Sequence, residues 1–141
     1  MKIIKLINGL DFPALEYATA NSAGVDLMAA NYEPIILKVG QTVRIPTGVA
    51  FEIDDGFEAQ IRSRSGLSFK DGIIVLNAPA TIDADYKGQV EILLHNISGK
   101  DFTITRGMKI AQVVLSRFYR FDNVLVNGRE RGTNGFGSTG V

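Results

Sequence analysis

Apolar residues in this chain come in short runs that alternate with polar ones and stop at turn-forming residues. Alternation with period two is the mark of a half-buried strand. It predicts strands near Ile3–Ile7, Val25–Ala29, Ile35–Lys38, Gln41–Pro46, Val49–Ile53 and Phe57–Arg62. Others follow near Ile73–Leu76, Gly88–Asn96, Phe102–Thr105 and Lys109–Arg117. Val39-Gly40, Asp54-Asp55-Gly56, Lys70-Asp71-Gly72 and Ser98-Gly99-Lys100 supply the turns between them. Ile and Val together number 26 against 11 Leu, a bias toward β structure. No window makes a convincing amphipathic helix; Leu10–Ala20 comes nearest, and Pro13 interrupts it. The expected class is therefore all-β, a sandwich or a jelly-roll-like barrel, with a flexible glycine-rich tail from residue 127.

Composition narrows the function more than the fold. With 141 residues the chain fits one domain, a body over 1–126 and a tail over 127–141. Fifteen basic and fifteen acidic residues leave no basic excess for a nucleic acid, so none is expected as a partner. The apolar runs are too short to span a membrane, and the N-terminus lacks the length and cleavage site of a signal peptide. Cysteine is absent, which rules out thiolate zinc and suits a reducing, cytoplasmic compartment.

Four body segments and the tail carry candidate chemistry. Arg62-Ser63-Arg64-Ser65-Gly66-Leu67 follows a strand. If that strand continues, Gln60, Arg62 and Arg64 share a face, and the Ser65-Gly66 turn offers backbone N–H groups to an anion. Read alone, it is equally a solvated strand end. Leu76–Gly88 holds Asp83 and Asp85 beside Tyr86; a carboxylate there would accept a proton from attacking water, or simply bond its own turn. Gly24-Val25-Asp26-Leu27 sets one acid at the start of an apolar strand, and Arg106–Gln112 is a turn feeding another. In the tail, Arg131 and Phe136 among five glycines are the parts of a phosphate-and-base clamp, while composition alone describes a frayed end. His95, the single histidine, has no nucleophile pattern around it and reads as structural. Glu52, Asp54, Asp55 and Glu58 read as a solvated turn.

Taken in order, these segments resemble the five motifs of the trimeric dUTP diphosphatase (dUTPase) family. Ala23–Leu27, Arg64–Leu67, Asn77–Gly88, Gly107–Gln112 and Arg131–Gly140 stand for motifs one to five and span nearly the whole chain. The resemblance implies magnesium-dependent hydrolysis of dUTP to dUMP and pyrophosphate by a homotrimer with active sites between subunits. It implies that Asp83 activates the water and that Tyr86 packs under the deoxyribose. Asn77 would read the uracil edge, with backbone groups of Thr81 and Ile82. Arg64, Ser65 and Gly66 would contact phosphate. Asp26 and Gln112 would hold magnesium through water. Phe136, with Gly137 beside it, would cover the uracil, and Arg131 would meet the γ-phosphate. The chain departs from the family pattern at Ala80, Thr81, Met108-Lys109 and Thr133-Asn134. A dCTP deaminase of similar fold, a non-catalytic nucleotide sensor and a structural jelly roll are the competing readings.

Overall fold

The computed structural model describes residues 1–126, 128, 132, 133, 135 and 136. Eleven strands and one short α-helix are present among them. The strands are β1 (Lys2–Lys5), β2 (Gly24–Met28), β3 (Ile35–Leu37), β4 (Thr42–Pro46), β5 (Val49–Glu52), β6 (Phe57–Arg62), β7 (Ile73–Val75), β8 (Ala80–Ile82), β9 (Glu91–Asn96), β10 (Phe102–Ile104) and β11 (Lys109–Arg117). They form small sheets in the orders β2-β11-β6-β8, β4-β9-β7, β1-β5 and β10-β3, every pairing antiparallel. The architecture is a jelly-roll-like β-barrel.

The side-chain alternation read from the sequence is what closes the barrel. In β2 and β9 every second residue is buried. Leu27, Leu37, Ile45, Phe51, Ile92, Leu94, Ile104 and Ile110 meet in the core with almost no exposed surface. Each such side chain contributes roughly 1.5–3 kcal/mol by leaving water. Asn96 is buried among them, and its amide is satisfied: Nδ2 donates to the Leu37 and Lys100 carbonyls, and Oδ1 accepts from Ser98 N and Oγ. His95, one residue earlier, meets Thr42 Oγ1 through Nδ1 at 2.9 Å across β9 and β4.

Two elements differ from the sequence expectation. Ser65–Asp71 is a helix, α1, where a turn alone was expected. It is seven residues long and buries only Leu67, so it has no apolar stripe to betray it; Gly72, at φ 63°, ends it in the left-handed region that glycine tolerates. β8 is a three-residue strand right after Pro79, held by pairing with β6 and not by any pattern of its own.

Candidate active site

The order β2-β11-β6 gathers three separated segments into one row. Gln112 on β11 stands opposite Asp26 on β2 and opposite Arg62 on β6. The β6 strand ends at Arg62, so Arg64 does not continue its face. Arg62 donates to Gln60 Oε1 at 2.6 Å, while Arg64 turns back and its Nε donates to Asp26 Oδ1 at 2.8 Å. Arg64 Nη1 also donates to the Lys109 carbonyl at 3.0 Å. Lys109 Nζ lies 3.2 Å from Asp26 Oδ2, so one carboxylate holds two cations. Gln112 Nε2 donates to the Ser63 carbonyl at 3.0 Å and so fixes the turn that presents Arg64. Gly24 makes this geometry feasible: a Cβ there would sit 2.4 Å from Gln112 Oε1.

Asp26, Arg62, Arg64, Ser65, Gly66, Lys109 and Gln112 line one open cavity together with Glu16. Three cations against two carboxylates make it a place for an anion. The space where a Gly66 side chain would stand is open, and the first-turn amides of α1 have no carbonyl partner within the helix.

A second group surrounds β8 and the turn that follows it. Asn77, Ala80, Thr81, Ile82, Tyr86 and Phe136 line a cavity of about 190 Å³. That is smaller than the roughly 300 Å³ of a drug-sized site and fits a base with its sugar, not a triphosphate. Tyr86 Oη donates to the Gln89 carbonyl at 2.8 Å, which folds the ring across the turn after β8. Gly88 leaves room for it, since a Cβ there would lie 2.5 Å from the Tyr86 hydroxyl. Three described tail residues lie near this segment of the same chain. Lys87 N donates to the Gly132 carbonyl at 2.7 Å, Gly135 lies against the Tyr86 ring, and Phe136 lines the cavity.

The base-sized cavity and the cationic one share no described residue. Ile61 lines the first and Arg62, the next residue of β6, the second. Asp83, half-buried next to Ile82, lines a further cleft with Asp55, Asp85, Lys87 and Arg120.

The dUTPase family model matches residues 11–140. The chain belongs to the dUTPase family. Among its relatives, the deoxyuridine 5'-triphosphate nucleotidohydrolase of Rickettsia typhi is 51% identical, covering 100% of this chain and 97% of that one. The protein of the same name from Rickettsia prowazekii is 50% identical over the same shares. In fold, the dUTPase of phage phi11 of S. aureus superposes with a TM-score of 0.76 at 22% identity, covering 92% of this chain and 99% of that one. A mutant dUTPase of Staphylococcus bacteriophage 80alpha, solved with dUpNHpp, gives 0.76 at 25% identity, covering 99% and 98%.

For this dUTPase-family chain most of the residues singled out in the sequence fall into two assemblies, and Asp83 lines neither of them. Asn77, Thr81, Ile82, Tyr86 and Phe136 come together, as do Asp26, Arg64, Ser65, Gly66 and Gln112. Arg131 and Gly137 lie outside the described residues. Of the departures from the family pattern, Lys109 pairs with Asp26 and Met108 packs half-buried against the core. In the sequence Lys109 stood out only as a departure from the family pattern, with no role. Two residues near the slot went unnoticed there, Arg44 and Glu91, an ion pair at 3.4 Å beside Phe136. Charges alternating along a strand look like ordinary solvent-facing positions until the cross-strand register is known.

Proposed function

We propose that this protein is a dUTP diphosphatase that hydrolyses dUTP to dUMP and pyrophosphate, limiting uracil in DNA and supplying dUMP for thymidylate synthesis. The observation that carries the reading is the pairing of a base-sized slot, floored by Tyr86, with a separate cationic cradle. Family membership and relatives of about 50% identity named for this reaction support it.

In this reading the uracil enters the slot and Asn77 bonds its edge, joined by backbone groups of Thr81 and Ile82. The Tyr86 ring, pinned through Gln89, fills the space a 2′-hydroxyl would need, so UTP is rejected. The phosphates lie along Arg64, Ser65 and Gly66. Asp83 accepts a proton from a water that attacks the α-phosphorus in line; the water oxygen becomes part of dUMP, and the α–β bridging oxygen leaves with pyrophosphate. Phe136 covers the base, and Arg131 neutralises charge on the leaving group.

Magnesium fits the donors of the cradle. Asp26 and Gln112 offer oxygens beside two cations, and a carboxylate already bonded to Arg64 and Lys109 still has lone pairs for water. Such a set suits an ion that keeps its own waters and rides on the triphosphate. Bound there, magnesium would offset phosphate charge, while Asp26 and Gln112 orient its waters. Asp26 also fixes the Arg64 fork, whichever load the phosphates carry.

A homotrimer with active sites between subunits accounts for the split. The slot and the cradle share no lining residue, so in this reading one nucleotide takes the slot of one chain and the cradle of another. No helix among the described residues is long and apolar enough to cross a membrane. We assign the enzyme to the cytoplasm on its lack of cysteine.

The test is pyrophosphate release from dUTP, UTP and dCTP by the parent and by Asp83→Asn. Turnover of dUTP alone, lost in Asp83→Asn by a factor on the order of 10² to 10⁴, is the expected result. Equal turnover by Asp83→Asn would refute the assignment, and ammonia from dCTP would move the chain to the deaminases.

A further inference from the structure

We propose that Gln89, held through its side chain by Asn8 and Gly48, is a positioning residue that sets how firmly Tyr86 excludes a 2′-hydroxyl. The inference rests on the reading that the Tyr86 ring fills the space of that hydroxyl. A ring rejects a ribose only as far as it resists being pushed aside, so the preference for dUTP over UTP measures the stiffness of whatever holds the ring. The Tyr86 hydroxyl donates to the Gln89 carbonyl at 2.8 Å. That carbonyl belongs to a peptide unit whose other end, Val90 N, donates to the Val49 carbonyl at 2.8 Å. The N–H and C=O of one trans peptide point opposite ways in a rigid plane, so the bond to Val49 aims the acceptor at Tyr86.

The Gln89 side chain fixes the same unit from a third side. Its Oε1 accepts from Gly48 N and from Asn8 Nδ2, each at 2.9 Å. Gly48 lies in the turn between β4 and β5, and Asn8 in the short 3₁₀ helix Ile7–Gly9 that follows β1. Two glycines let these segments touch. A Cβ on Gly9 would lie 2.4 Å from the Gly48 carbonyl oxygen, and Gly48 has φ 69°. Asn8 is anchored in turn: its carbonyl accepts from Arg106 Nη2 at 2.7 Å, while Arg106 Nη1 donates to the Ala30 carbonyl at 3.0 Å. Arg106, Asn8, Gln89 and Tyr86, all partly buried, form a line of hydrogen bonds from the turn before β11 to the slot. Bonds of this kind behind a site residue lock its rotamer.

The test is the ratio of kcat/KM for dUTP to that for UTP, measured with the thermal midpoint of each variant. Gln89→Met keeps the length of the side chain and removes the acceptor; the ratio should fall about two- to tenfold, the worth of one ordinary hydrogen bond, chiefly through faster use of UTP. Gln89→Glu keeps an acceptor for both donors and should hold the ratio near the parent. Asn8→Ala removes one of the two donors and should lower the ratio less than Gln89→Met; it carries the test if the Met variant does not fold. In a Tyr86→Phe background, which lacks the hydroxyl, Gln89→Met should lower the ratio no further. A residue that only stabilised the fold would lower the midpoint and leave the ratio alone. An unchanged ratio in both Gln89→Met and Asn8→Ala would therefore overturn the proposal, as would equal falls in the Met and Glu variants. Tyr86→Ala separates the two ideas. If it lowers the ratio while Gln89→Met and Asn8→Ala are silent, the role of Gln89 fails and the sugar reading stands. If Tyr86→Ala keeps the parental ratio, the sugar reading itself fails.

Discussion

Mixing two inactive chains should restore activity. Asp83→Asn spoils the proton acceptor, and Arg64→Ala spoils the cradle. Each alone is expected to retain on the order of 1% of parental turnover or less, the usual cost of removing a catalytic base or a transition-state charge partner. Slot and cradle share no lining residue, so on the proposed reading a working site takes its slot from one chain and its cradle from a neighbour. Co-refold the two variants in equal amounts and let subunits assort at random. A slot with Asp83 beside it comes from an Arg64→Ala chain, roughly half of all sites; the facing cradle carries Arg64 only when it belongs to an Asp83→Asn chain, roughly half again. About one-quarter of the sites should work, in a symmetric ring with head-to-tail contacts. Pyrophosphate release by the mixture should therefore rise at least tenfold above either variant. Both substituted side chains are at least partly exposed, so circular dichroism and melting should match the parent and exclude misfolding. A mixture no more active than the average of its components, in a sample shown by ion exchange to contain mixed oligomers, would refute a site shared between chains.

Three further outcomes follow from the geometry. Gly88→Ala puts a Cβ 2.5 Å from the Tyr86 hydroxyl, so the ring must move; the preference for dUTP over UTP in kcat/KM should fall about tenfold or more with little change in melting. Deleting the residues after Asn127 should leave a folded body, since the core is built from residues 25–113, but lower turnover by a factor on the order of 10². Asp11 is held below the usual carboxylate value by its hydrogen bond from Arg106, and Asp54 by the bond from the N-terminal ammonium. Both are depressed, so their contribution is complete above pH 3.8 and is lost as pH falls through their lower folded values. Urea titrations below pH 4 should show stability declining with acid, less steeply in Asp11→Asn; an unchanged slope would count against the Arg106 contact.

What the sequence made legible was whatever rests on local period. Phe57–Arg62 has the observed bounds because turn residues flank a clean alternation at both ends, and Lys109–Arg117 keeps its bounds despite the irregularity near Ile110. Helix α1 was invisible, as a seven-residue segment with one buried side chain has no period to detect, and β8 exists only because β6 lies beside it. The site divides the same way. The order of the five motifs names Asp83, Tyr86, Arg64 and Gln112, yet nothing in that order says which of them meet. The assumption that Arg62 and Arg64 share a face failed because the strand stops between them, and that stop is what frees Arg64 to reach Asp26.

The glycines make the same point at atomic scale. Gly24 and Gly88 stand at the starts of expected strands, and neither is in the left-handed backbone region. Each is small because a functional side chain from elsewhere occupies the space, the Gln112 amide in one case and the Tyr86 ring in the other. A glycine required by φ would tolerate only backbone-permissive replacements, whereas these two would tolerate alanine if the intruding side chain were shortened as well. Gly24→Ala should therefore be rescued in folding, though not in catalysis, by Gln112→Ala. The barrel pairs strands so that Gln112 faces both Asp26 and Arg62, and this pairing, more than any single motif, gathers a line of weak signals into one cationic cavity.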